Sequence, residues 1–404
     1  PKLAEIKKLY QNVEFKAIDA AKGIIEIKNK FLFTNLSKYE LYWCQCSDKG
    51  IISDGVVNVD IKPFEKKVVD LELGKLPKTE YYLNLELREK DDTAYCKAGH
   101  IVAEQQFVIN EFDNVYDEIE EEQQLLVDDT YGSLRIISDD VVIRFERRER
   151  NQLYSIKVGN EELLQAPMRL NFWRALTDND RGTRAGSRLG CWRDAGDTPG
   201  IFNNTKWSIE GYKILDDGKK VVVTSGATVC TQPESKASIV YTITSKGMEI
   251  NLHFYPDPSL PEIPEVSLLF ELPKDFENVT YLGNGPEENY IDRANAAKIG
   301  LYNTTVSDMW VDYLKPQECG NRTGVRYATL VGDKKVFSLV AEPVMEFNAC
   351  HWLPKEIENV WHQKDLPEPN KTVVRCIARQ QGIGGYDSWG AHLSLIHISE
   401  PTRP

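Results

Sequence analysis

Hydrophobic residues recur every second position along most of this chain, and almost nowhere at the helical spacing of three or four. From about Val13 the stretches GIIEIKNKFLF, YELYWCQC, VVNVDI, VVDLEL and YYLNLELRE alternate or run β-branched and aromatic, with polar, Pro or Gly punctuation between them. Leu83, Leu85 and Leu87 would all face one side. Such a chain must bury its apolar faces by stacking sheets, so the expected fold class is all-β. Residues 12–110 are of immunoglobulin-like sandwich size. Residues 111–130, EFDNVYDEIEEEQQLLVDDT, break the rhythm with an acidic run, expected to be a solvated linker rather than a cation or partner site. Strands then resume almost to the end (LRIISDDVVIRFERR, KKVVVTSGATVC, ASIVYTITSKGMEINLHFYPD, VSLLFELP, KVFSLVAEP, KTVVRCIARQ), too many for a simple Ig sandwich and suited to a large two-sheet one over 131–393. The one good helical period, PKLAEIKKLYQ at 1–11, has no N-cap and reads as the last turns of a helix begun upstream.

The balance of charge narrows the partners. A formal net charge of −13 repels phosphate backbones, so nucleic acid is not expected. No apolar run reaches the roughly 20 residues of a membrane span. Eight cysteines (44, 46, 96, 191, 230, 319, 350 and 376) show no CxxC and no disulfide rhythm, which suits free thiols in a reducing compartment.

Chemistry is sought where strands end in Gly, Asn, Asp and aromatics: NFWRALTDNDRG (171–182), YLGNGPEENYIDR (281–293), PQECGNRTGVRY (316–327) and GIGGYDSWG (382–390). Asp178 and Asp180 flank Asn179, and in a strand both carboxylates would point the same way, either to hold a cation or to cap turns. Glu287 and Glu288 are adjacent, so in a strand they face opposite sides and cannot flank one glycosidic bond. Arg293, Arg322 and Arg326 are expected in structural ion pairs. His351 and His362 bracket a loop without zinc spacing, and no metal site is expected. Trp389 follows Gly384, Gly385, Asp387 and Ser388; its indole could face a sugar ring or plug the sandwich edge.

FWRALTDND, LGNGPEENYIDR, PQECGNRTGVR and GIGGYDSW, in this order and spacing, resemble the C-terminal domain of the large β-galactosidases of glycoside hydrolase family 2. PKLAEIKKLYQNVEF resembles the exit from that family's catalytic barrel, and FLFTNL with KAGHIVAEQQF resembles the Ig-like domain after it. The resemblance implies an Ig-like β-sandwich followed by a galactose-mutarotase-like β-supersandwich. It implies that the N-terminal domains and the barrel, with both catalytic glutamates, lie on polypeptide outside this sequence, so the chain alone should be inactive. It assigns Trp389 to the galactose platform. It makes Asp178, Asn179, Asp180 and Gly182 a mobile segment near the site, with the hinge at Gly182. It gives Asn284, Gly285, Glu287, Tyr290, Asp292 and Arg293 a shaping role without chemistry.

The implied substrate is a terminal β-D-galactoside such as lactose, cleaved with retention. The family's magnesium and sodium would be held mainly by absent domains, leaving no cofactor on this chain. The parent would be a homo-oligomer and cytoplasmic. Leu176 departs from the family's usual Pro, and residues 394–404 do not resemble its closing strand; they are expected to be a non-native tail, and no role is read into His397 or Arg403. Two alternatives remain: the small subunit of a two-chain β-galactosidase, or a galactose-binding or aldose-mutarotase-like module. The latter needs a His and a Glu facing one sugar, for which only His253 and Glu271 suggest themselves.

Overall fold

The computed structural model describes residues 2–73, 80–110, 123–147, 152–196 and 205–384. Strands dominate and helices are short, as the period-two pattern requires. The chain forms two compact units: residues 1–115 with 281–289 and 293–302, and residues 116–280 with 290–292 and 303–404.

In the first unit, α1 (Lys2–Leu9) precedes seven strands: β1 (Val13–Asp19), β2 (Ile24–Asn29), β3 (Tyr39–Ser47), β4 (Gly50–Asn58), β5 (Lys66–Asp70), β6 (Tyr81–Glu89) and β7 (Ile101–Asn110). They pair antiparallel as β1-β2-β5 and β4-β3-β6-β7. Both sheets feed one core. Ile25 and Ile27 come from the first, Leu41, Leu83, Leu85 and Leu87 from the second, and all six are buried. Full burial of one such side chain contributes roughly 1.5–3 kcal/mol, so the alternation pins the register, because a one-residue slip would expose the whole row. Cys44 and Cys46 share a face of β3, and the Asn84 amide reaches both sulfurs. All eight cysteines are free thiols.

The second unit opens with a five-stranded sheet of β8 (Leu126–Asp129), β9 (Ser133–Ser138), β10 (Val141–Glu146), β11 (Leu153–Val158) and β12 (Glu161–Glu162). Leu126–Asp129, expected at the end of the acidic linker, is therefore a strand. Its alternation is too short to show against the acidic run, and its backbone is satisfied by pairing with β9. After β13 (Ala166–Asn171) come the short helices α2 (Asp178–Gly182), α3 (Ala185–Arg188) and α4 (Gly190–Ala195). A meander follows: β14 (Lys206–Leu215), β15 (Lys220–Val229), β16 (Ser235–Thr244) and β17 (Gly247–Tyr255). Phe145 of β10 meets Tyr241 of β16 edge-on at 4.9 Å, joining these two sheets through their apolar faces.

β18 (Glu265–Pro273) starts the largest sheet. β19 (Asn278–Gly285) and β20 (Lys298–Thr305) follow, most of their residues grouped with the first unit. Past α5 (Val306–Met309) come β21 (Arg322–Val331), β22 (Val336–Cys350), α6 (Pro354–Glu358) and β23 (Lys371–Gln380). The order β13-β18-β23-β22-β21 is antiparallel throughout. Among the described residues no helix is long and apolar enough to cross a membrane.

Candidate functional site

The connections leaving β13 and β23, the one entering β21 and the one between β19 and β20 bring residues together in the second unit. Thr177 caps α2: its hydroxyl accepts from the Asp180 amide, and the Asp180 carboxylate accepts from the Thr177 amide in return. Of the two readings open for the acidic pair, Asp180 takes the turn-capping one; the segment is a helical turn, and the same-facing carboxylates of a strand do not form. Asp178 and Asp180 part company. Asp180 is buried and ion-paired to the equally buried Arg174 at 2.9 Å, while Asp178 is exposed and accepts from Arg181. Gly182 closes the turn with an ordinary φ and open space where a Cβ would stand, so this conformation does not itself demand glycine.

Three side chains then hold residues 382–384. Arg174 donates to the Gly382 carbonyl at 3.1 Å, Asn179 donates to the Ile383 carbonyl at 2.9 Å, and Asp292 accepts from the Ile383 and Gly384 amides. A Cβ on Gly382 would come within 2.4 Å of the Asp292 carboxylate, so the close approach requires glycine there. Gln317 fixes the other side of α2 through the Asp178 amide at 2.9 Å. Segments from all four sequence motifs thus meet through Arg174, Asp292, Gln317 and Gly382. Trp389 lies outside the described residues, five positions beyond Gly384.

Beneath them runs a buried charge cluster that the sequence did not suggest. Arg375 of β23 binds Glu265 of β18 on one side and both carboxylate oxygens of Glu318, at 2.6 and 2.8 Å, on the other. Asn171 and Ser267 also donate to Glu265, at 2.8 and 2.6 Å. One guanidinium neutralises one carboxylate, leaving a second negative charge in low dielectric. Burial pushes the Glu265 carboxyl up to about 7 against the pull of Arg375. Burial is the strongest single influence on Arg174 and Arg375 and works against their charges, but the acidic groups around them together outweigh it, Asp180 and Glu318 foremost at Arg174 and Glu265 and Glu318 at Arg375, and raise both. The partners lie 110 and 57 positions from Arg375 in sequence, so no local pattern could have announced them.

The remaining candidates are structural. Arg293 pairs with Glu288, which is buried, whereas Glu287 is exposed. Arg322 donates to the Gly320 and Asn321 carbonyls, and Arg326 to that of Gly324. His351 is buried, 2.9 Å from the Lys371 carbonyl and 3.2 Å from Glu277, while His362 is exposed beside Asp365. His253 is exposed on β17, and Glu271 is buried on β18 and bound by Arg169 and Lys371. A His–Glu pair of the mutarotase kind is not assembled from these two.

Comparison with known proteins decides the family. The family described as β-galactosidase small chain matches residues 138–398, well over half of the sequence. The chain belongs to the β-galactosidase small-chain family. Residues 25–110 separately match β-galactosidase domain 4. A β-galactosidase of Priestia megaterium is 33% identical over 97% of this chain and 37% of its own length. One of Halalkalibacterium halodurans is 31% identical over 97% of this chain and 38% of its length. The chain thus spans a little over a third of these relatives. A β-galactosidase small subunit of Latilactobacillus sakei is 26% identical over 68% of this chain and 96% of its own length.

Proposed function

We propose that this chain is the C-terminal, non-catalytic part of a retaining β-galactosidase of glycoside hydrolase family 2, acting on terminal β-D-galactosides such as lactose. Trp389 is the platform for the galactose ring, and α2 with its flanking residues is the segment that moves near the site. The observation that carries this reading is the match to β-galactosidases over 97% of the chain but only 37% of the relative. Bond cleavage falls to the two glutamates of the absent barrel. The share of this chain is positioning, which is worth several kcal/mol of barrier only when the nucleophile is present. The clamp on 382–384 supports that share, because it fixes the stem from which the Trp389 segment departs. No essential metal is expected on this chain, the family's magnesium and sodium being held mainly elsewhere. The parent is expected to be a cytoplasmic homo-oligomer. In the barrel-bearing enzyme, Trp389→Ala should lower kcat/KM for a chromogenic galactoside by about tenfold or more, the scale of one lost aromatic–sugar contact. Unchanged kinetics would overturn the assignment.

One observation favours a second reading, a separate small subunit: the Latilactobacillus sakei small subunit is matched over 96% of its length. The partner would then carry the barrel, and mixing the two chains would restore hydrolysis.

A further inference from the structure

Asp292 is half-buried in the second unit, near the end of the 281–293 motif. Its two carboxylate oxygens accept from two successive backbone amides, Oδ1 from Ile383 at 3.2 Å and Oδ2 from Gly384 at 2.7 Å. A carboxylate bound by consecutive N–H groups fixes both the place and the direction of that backbone, and its charge strengthens each bond.

The glycines on either side of Ile383 are fitted to this carboxylate. Neither has a positive φ, so backbone freedom does not demand glycine at either position. Room demands it. A Cβ on Gly382 would stand 2.4 Å from the carboxyl carbon, and the three nearest atoms it would meet all belong to Asp292. A Cβ on Gly384 would stand 2.8 Å from Oδ2. β23 ends at Gln380, so 382–384 is backbone just beyond the sheet, while Val373, Val374 and Ile377 anchor the strand itself in the core.

We infer that Asp292 is a positioning residue for galactoside binding: its carboxylate sets the course on which the chain leaves β23 toward Trp389, five positions after Gly384. This rests on the reading of Trp389 as the galactose platform, and it gives the 281–293 motif a part in binding beyond shape. Asp292 acts through the backbone and touches no substrate.

Two measurements test it. In this chain, Asp292→Ala should quicken hydrogen exchange at the Ile383 and Gly384 amides about tenfold or more, as loss of a charge-assisted bond does, while the amides of β23 keep their protection. In the barrel-bearing enzyme, Asp292→Ala should lower kcat/KM for a chromogenic galactoside by about threefold to tenfold, divided between kcat and KM as in Trp389→Ala. With Trp389 already alanine, the same change should cost less than about twofold, whereas a merely structural loss would cost one factor in both backgrounds. Asp292→Asn keeps a single acceptor oxygen and should fall between Asp292→Ala and the parent. Gly382→Ala should reproduce the loss by crowding the carboxylate and add nothing to Asp292→Ala. Unchanged exchange at 383 and 384, parent-like kinetics in Asp292→Ala, or an equal loss with and without Trp389 would overturn the inference and leave the platform reading standing. Trp389→Ala without effect would instead remove that reading, and this inference with it.

Discussion

Glu265 carries the clearest pH signature at the residue scale. Its carboxyl is raised by burial to about 7 in the folded chain, against about 4.3 for an unfolded glutamate. A raised folded value means that the native state holds a proton the unfolded state releases. The associated stability is therefore full below the unfolded value and is lost as pH rises through the folded one. Between pH 5 and pH 8 the chain should lose up to about 3 kcal/mol from this group, and Glu265→Gln should flatten that part of the profile. Urea melts at a series of pH values check this. A slope that persists in the variant would assign the loss to other groups. The Glu265–Arg375–Glu318 arrangement also explains why single-residue reading of the sequence fell short. Each residue sits on an ordinary strand or turn, and only the pairing of β18 with β23 brings the charges together.

At the scale of elements, α2 depends on Asp180 twice over: its carboxylate closes the capping box and neutralises buried Arg174. Asp180→Ala should remove both and leave a buried guanidinium short of a partner, costing about 3–5 kcal/mol in a denaturant melt. A loss below about 1 kcal/mol would show that the contact is not the anchor. The strands were legible because period-two alternation is long and strict, as in β15 and β16, where every second residue is buried. The helix α2 was not. Thr177 and Asp180 bear the capping spacing, but DND followed by arginine and glycine offers no apolar period, and capping rather than burial makes the turn. The short strand β8 was hidden in the acidic run for a similar reason: pairing with β9, not side-chain pattern, defines it.

For the whole molecule, the family resemblance and the alternation pointed to the same all-β outcome by independent routes. The four loop motifs were recognisable in sequence, and the structure adds how they meet, through Arg174, Asn179 and Asp292 gripping residues 382–384 and Gln317 holding the Asp178 amide. Hydrogen bonds between loops many residues apart leave no local trace, whereas glycines forced by close approach, such as Gly382 against Asp292, do. The division of labour follows from the same view. On the proposed reading, this part of the enzyme shapes and positions, and the groups that break the bond are on other polypeptide. The most direct measurement is hydrolysis of a chromogenic β-galactoside by the purified chain alone, beside its Trp389→Ala variant. The account predicts no turnover above buffer for either protein, whereas turnover by the chain that Trp389→Ala abolishes would contradict it.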